Sequence, residues 1–493
     1  MPHPILYEIN TRCWLRELSD RLKKTVTLGN VPDEEFAYWK KLGFTHIWLM
    51  GVWTTGPRAR KMAQKEPNLR QAFDLLLPGW TNDDVPGSPY SISDYTVPEP
   101  IGGDTGLRDF RLKLHANGMK LVLDFVPNHL GMDHPWLTEK PDLFVQSPAR
   151  VEGTFEQATA TGVRWIANGK DPYFPPWSDV AQLDYRRTDT RAAMKELLES
   201  IATRCDGLRC DMAMLLLNEV FPRTWQHFPF SGELPLTEFW AEVIPPIKRA
   251  FPGYLFLAEV YWGLEAGLQS LGFDYTYDKQ LYDDLYWKNT IGVQKRLLEL
   301  YPGFVAASAH FLENHDEPRI AAQLTLPEHR AAALAMLGLP GMRFLHEGQL
   351  TGAKVKIPVQ LGRRKTEPLQ RELQQMYELL LSTLQKTAVG KGEGTLLTPR
   401  VAWPGNPTGQ NFVIVQWQTK PPEFDLVVVN LAGHRSQCYA RLTAPGLAER
   451  NWVMENLLGS ERYERFGTDL ASQGVYLDLP EHAAQLFRFR PGR

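Results

Sequence analysis

Apolar residues in the first 390 positions gather into short runs, separated by stretches of helical spacing. Residues 5–10, 45–50, 120–126, 206–211, 254–259, 272–277, 309–313 and 342–346 each read as a strand. Their continuous apolar character, with little strict alternation, predicts parallel strands buried on both faces. Residues 33–42, 104–117, 187–203, 237–250 and 367–385 carry helical periodicity, with Gly43 and Gly118 as stops for the first two. Pro245 and Pro246 predict a kink or split in the fourth helix. Eight strands with intervening helices give the count of a (β/α)8 TIM barrel, an α/β fold.

Two stretches break the alternation. Residues 51–95 are rich in Gly, Pro, Asp and Asn and read as a long loop shaping a cleft. From 130 to 180 the periodicity dissolves into Pro, Gly and Trp, which predicts a short excursion after the third strand. Past the flexible Gly390-Lys-Gly-Glu-Gly junction the texture changes to short β runs at 411–418, 425–430, 437–442 and 474–479. Turn residues separate them, so a C-terminal antiparallel β-sandwich is expected. The expected division is a barrel from 1–129 and 181–389, an inserted excursion at 130–180, and an all-β domain at 390–493.

The chemistry lies where apolar runs end in polar residues. In G-L-R-C-D-M-A-M (207–214), Arg209 and Asp211 sit two apart and share one face of a strand. Charge on a buried strand is costly unless paired, and this pair compensates itself. The same grammar recurs in L-V-L-D-F-V-P-N-H (121–129), Y-L-F-L-A-E-V-Y (254–261) and A-H-F-L-E-N-H-D-E-P-R (309–319). Barrels of this kind place catalytic groups at the C-terminal ends of their strands. One such run reads as a structural ion pair; four in order read as an active site.

These four stretches resemble the signatures of the α-amylase family (glycoside hydrolase family 13), and the resemblance extends over nearly the whole chain. It implies a retaining mechanism with Asp211 as nucleophile, Glu259 as general acid/base and Asp316 as the third carboxylate. It implies that Arg209 orients Asp211 and keeps it ionised, and that His129 and His315 hydrogen-bond the sugar at the cleavage point. Asp124 and Asn128 match supporting positions, and Tyr90, in G-S-P-Y-S-I-S-D-Y, resembles the aromatic platform for that sugar. Retaining chemistry needs two carboxyl groups about 5–5.5 Å apart in different protonation states. An adjacent Arg209 lowers the pKa of Asp211, and the apolar Leu-Phe-Leu-Ala before Glu259 favours a protonated acid.

A-Q-L-D-Y (181–185) resembles a fifth signature and makes Asp184, with Asn128, a candidate calcium pair. Many relatives carry Lys-His shortly after the nucleophile; Met214-Leu215 stands here and argues against calcium. No cofactor is required for the chemistry itself. Glu347, in L-H-E-G-Q, is a candidate substrate contact or a turn residue.

Composition narrows the partners. A net charge of −3 with mixed signs argues against nucleic acid or an anionic membrane surface. No apolar run reaches the roughly 20 residues a membrane span needs. The four cysteines match no zinc pattern, and with no visible leader in M-P-H-P-I-L-Y-E-I-N the expected compartment is the cytoplasm. Fifteen Trp and 17 Tyr supply flat faces for sugar rings. Trp53, Trp80, Trp177 and Trp262 lie beside loops or strand ends, and Trp262, just past Glu259, is the first choice. The expected activity is retaining hydrolysis of α-1,4 links in maltodextrin or a related α-glucan. The alternatives are a transglycosylase or isomerase of the same family (glucanotransferase, trehalose synthase or sucrose-active) and a non-catalytic carbohydrate-binding or scaffold barrel.

Overall fold

The computed structural model describes residues 2–492. Eight parallel strands close into a barrel: β1 (Ile5–Asn10), β2 (His46–Met50), β3 (Lys120–Phe125), β4 (Gly207–Cys210), β5 (Leu255–Ala258), β6 (Tyr275–Tyr277), β7 (Ser308–Phe311) and β8 (Met342–His346). Each strand pairs with the next in sequence, and β8 closes against β1. The fold is the expected TIM barrel with a C-terminal β domain.

The pleat sorts the side chains. Leu6, Trp48, Val122, Leu257, Tyr277, Phe311 and Phe344 fill the barrel interior. Cys210 faces the other way, into the apolar layer between strands and helices. All four cysteines are buried and unpaired.

Several elements differ from the sequence reading. The segment read as a loop at 51–95 folds two helices, Pro57–Lys65 and Pro67–Leu76, each beginning on a proline. Proline suits the first helical position because its missing N–H would be unpaired there anyway. Phe239–Ala250 is one continuous helix with Pro245 and Pro246 inside it, so the chain does not split there. A helix unforeseen in the sequence, Thr11–Leu22, follows β1 directly.

The excursion is a small antiparallel sheet. Its strands run in the order His129–Gly131, Trp177–Gln182, Gly162–Gly169 and Gln146–Ser147, with Thr154–Thr159 also pairing onto the third. The first two of these strands, His129–Gly131 and Trp177–Gln182, are where the chain leaves the barrel after β3 and returns to it, and they pair with each other.

The C-terminal sandwich has a six-stranded and a three-stranded antiparallel sheet. The strand Phe424–Asn430 is buried along its whole length because both its faces are covered. Phe424, Leu426 and Val428 face the sandwich core, while Val427 and Val429 join the barrel's apolar layer. Trp417 crosses to the barrel and donates to the Gly338 carbonyl at 2.8 Å. No helix among the described residues is long and apolar enough to cross a membrane.

Candidate active site

Asp211, Glu259, His315 and Asp316 all follow the C-terminal ends of barrel strands, and Arg209 rises from within β4. Arg209 is fully buried. Its guanidinium donates to Asp211 at 2.7 Å and to Glu259 at 2.6 Å, with Asp124 at 3.5 Å. One planar fork therefore spans both carboxylates, which confines them to the reach of a single guanidinium. The aromatic rings of Trp48, Tyr90 and Tyr277 lie 5.3, 5.3 and 5.8 Å from its central carbon.

Glu259 has further partners. One oxygen also accepts from the Met212 backbone N–H at 2.8 Å, and the other accepts from the Tyr261 hydroxyl at 2.8 Å. Met212 reaches this position through a left-handed backbone (φ 42°), costly for a non-glycine residue and typical of functional turns.

The electrostatics differ from the expectation for Asp211. Burial dominates and pushes its carboxyl up, to about 8; Arg209 pulls it down and the Glu259 charge adds to the rise. Burial likewise raises Asp124, to about 6, against the pull of Arg209. Asp124 and Asp211 share the Arg209 guanidinium with Glu259, and for these two aspartates burial outweighs its pull. Glu259 accepts three hydrogen bonds in all, one of them from Arg209.

The two histidines have opposite character. Burial lowers His129 to about 4, so it is a neutral imidazole near pH 7. His315 is also buried, which alone would lower it, but Asp316 and Glu8 hold it well above the ordinary value. Its Nε2 lies 2.9 Å from Asp316 and 2.7 Å from the Tyr90 hydroxyl; its Nδ1 lies 2.5 Å from Glu8. Asp316 reaches into open cleft, its side chain 46% exposed. Desolvation by the cleft walls works against its charge, yet His315 and Arg209 hold its carboxyl below the usual range. Tyr90 stacks on His315 at 5.3 Å and 21°.

Other predicted residues fall in different places. Trp53 is a core residue whose indole donates to the Asp124 carbonyl, and Trp80 packs on Phe73. Trp177 lies 5.3 Å from the His129 ring and lines an adjoining cleft of about 800 Å³ with Arg58, Lys61 and Asp179. Trp262 is 40% exposed and meets Tyr173 of the excursion edge-on at 4.9 Å. Glu347 is buried and tied to Arg364, which also grips Glu17. That is a loop anchor, and it leaves no free carboxylate for a sugar.

The residues suggested for calcium do not fit that ion. Both Asp184 oxygens accept from the Arg186 guanidinium at 2.8 Å, and Arg186 also donates to the Trp225 and Phe228 carbonyls. A cation already neutralises the carboxylate. The Asn128 side-chain amide is exchanged with that of Gln182 at 3.0 and 3.2 Å.

Sequence reasoning missed Glu8, Trp48, Tyr261 and the Met212 amide. Glu8 carried the same signal as the others, an acid inside an apolar strand. Tyr261 shares the strand-end phase of Glu259.

The closed barrel with carboxylates at its C-terminal rim defines a (β/α)8 enzyme. The family profile for the alpha amylase catalytic domain matches residues 33–378, and the chain belongs to the α-amylase family of glycoside hydrolases. Alpha-amylase MalA of Haloarcula japonica is 24% identical over 290 residues, covering 57% of this chain and 38% of that protein. Alpha-amylase 3 of Dictyoglomus thermophilum is 23% identical, covering 72% and 65%. Trehalose-6-phosphate hydrolase of Escherichia coli is 25% identical, covering 53% and 55%. The chain thus spans less than two thirds of the length of these curated relatives. Among solved structures, a noncanonic maltogenic α-amylase AmyB of Thermotoga neapolitana aligns with TM-score 0.67 at 19% identity, covering 99% of this chain and 98% of that one. An α-amylase of Geobacillus thermoleovorans complexed with acarbose aligns with TM-score 0.66 at 17% identity, covering 99% of each.

Proposed function

We propose that this chain hydrolyses α-1,4-glucosidic bonds in maltodextrin or a related α-glucan, with retention, through a covalent glycosyl-enzyme. The observation that carries the reading is the Arg209 fork holding Asp211 and Glu259 side by side. Such closeness suits direct attack by one carboxylate; an inverting pair needs about 6.5–9.5 Å to admit water.

In this reading Glu259 protonates the leaving oxygen while Asp211 attacks the anomeric carbon. Water then enters on the face the leaving group has vacated, opposite Asp211; Glu259 takes its proton, and the Asp211–sugar bond breaks. The carboxylate cluster has to hold a proton for this, and that proton must reside on Glu259 at the moment of attack. Asp316 grips sugar hydroxyls and favours the distorted ring, His129 and His315 hydrogen-bond the same sugar, and Tyr90 stacks on it. Asp124, beside Arg209, and Asn128, paired with Gln182, support these groups from behind. The division at 1–129 with 181–389, 130–180 and 390–493 follows, with the β domain packed on the barrel. Substrate is the sole partner proposed, and four unpaired buried cysteines favour the cytoplasm.

A second reading, a transglycosylase or isomerase, is favoured by one feature. The exposed Tyr173–Trp262 pair stands just beyond Glu259, where an acceptor sugar would compete with water. Product analysis on maltoheptaose, sucrose and trehalose, with anomers followed by NMR, tests both. Shorter α-anomers are expected. Longer oligomers or isomerised disaccharides would replace hydrolysis with transfer, and β-anomers would overturn the retaining assignment.

A further inference from the structure

We propose that Glu8 is a positioning residue that fixes His315 as a doubly donating imidazolium, and so aims and charges Asp316. The inference rests on the reading of Asp316 as the third carboxylate.

Glu8 points from β1 into the barrel and is fully buried. Its Oε1 sits 2.5 Å from His315 Nδ1, while its Oε2 has no hydrogen-bond partner among the described residues. The carboxylate therefore has one strong partner, and that partner is His315. On the far side of the ring, Nε2 faces Asp316 at 2.9 Å and the Tyr90 oxygen at 2.7 Å. A neutral imidazole has one N–H and one lone pair. With carboxylate oxygens against both nitrogens, either neutral tautomer would set a lone pair against a negative charge. Only the cation donates in both directions.

The surroundings agree. Tyr90 stacks on the His315 ring and Trp48 meets it edge-on at 5.6 Å, so the ring cannot swing away. Arg209 lies beyond Tyr90 and Trp48 and is already committed to Asp211 and Glu259; Asp124 flanks the same arginine. On the β8 side a small cavity beside His315 is lined by Arg319, His346 and Lys356, with Glu347 and Arg364 paired to each other. Lys356 donates to the Asp316 carbonyl. Arg319 is paired with Glu313 and Arg364 with Glu347 and Glu17, so the anions on that side are already matched, and the carboxylates that face the His315 nitrogens are Glu8 and Asp316. A glutamine at position 8 would keep an acceptor at Nδ1 and lose the charge.

The test is ¹⁵N NMR of the histidine-labelled full-length chain, with His315 assigned by its absence from the His315→Gln spectrum. In the wild type, His315 should show two protonated nitrogens throughout about pH 5–8. In Glu8→Gln it should titrate inside that range, and the alkaline limb of kcat/KM should fall by about one pH unit or more. Activity of the variant should recover towards wild type at the acid end. A wild-type His315 that is neutral at pH 7 overturns the proposal, whether or not Glu8→Gln folds. So does a variant with unchanged titration and pH profile. The NMR arm needs no substrate: failure to cleave any α-glucoside would sink the functional reading and leave this one decided by the ring nitrogens.

Discussion

Arg209 donates to Glu259 at 2.6 Å from a site with no solvent exposure. The acid/base candidate is thereby bound to the same cation as the nucleophile candidate. Arg209→Lys should keep the charge and lose the bridge, because an ammonium is a point charge without a planar fork. We expect turnover to fall about 10²-fold or more from misplaced carboxylates. Arg209→Met should also destabilise by ~3–5 kcal/mol, since it strands buried carboxylates without a partner. Chemical denaturation and steady-state kinetics check both; a Lys variant with near-normal kcat would show that the bridge does not matter.

Asp211→Asn should cost roughly 10⁴-fold or more in turnover while maltodextrin binding persists. Its effect on stability has a definite sign. Burial raises the Asp211 pKa from 3.8 to about 8 in the folded chain, so the fold binds this proton more tightly than the unfolded chain. Stability from this group is present below the unfolded value and is lost as pH rises through the folded one. Asparagine removes that loss. The Tm of the variant relative to wild type should therefore increase between about pH 4 and 8; a difference that shrinks would mean that Arg209 outweighs burial.

The barrel was readable because its strands are buried on both sides and so are plain apolar runs; Met342–His346 is a clear case. The excursion showed as a break in the periodicity, but its strands were hidden. Thr154–Thr159, with sequence T-F-E-Q-A-T, alternates between half-buried and exposed positions and has no apolar face to betray it. The helices after Pro57 and Pro67 were hidden because proline marks a loop and a helix start equally well. At the site, Asp211, Glu259 and Asp316 stood out as acids at strand ends. Glu8 matters through His315, more than 300 positions away, and Met212 through its backbone angle. Neither relation is written in local pattern.

Arg186 leads to a different test. It holds Asp184 bidentately, reaches two carbonyls of the segment after Asp211, and packs on the Phe230 ring at 4.8 Å. Chelation should leave the Tm of the wild type unchanged, because the Asp184 charge is met from within the chain. Arg186→Ala should destabilise by ~3–5 kcal/mol, leaving a buried carboxylate unpaired. A drop in Tm on chelation of the wild type would refute this account.

Trp262 holds a left-handed backbone (φ 67°), which is unfavourable for a bulky side chain and needs a compensating reason. Its ring is 40% exposed and its neighbour Tyr173 is 69% exposed, so burial is not that reason. Their edge-on contact joins the excursion to the segment just after Glu259, the proposed proton donor. A sugar stacked there would be a leaving group in the forward direction and an acceptor in the reverse. Replacing Trp262 with Ala should cost about 0.5–1.5 kcal/mol of that contact, raising KM for maltoheptaose up to about tenfold with kcat little changed. Hydrolysis of an aryl α-glucoside, which places no sugar on that side, should be nearly unaffected. If the chain also transfers glucosyl units, the share of longer products should fall in step with the rise in KM. Equal losses on both substrates would assign Trp262 to the cleavage point itself.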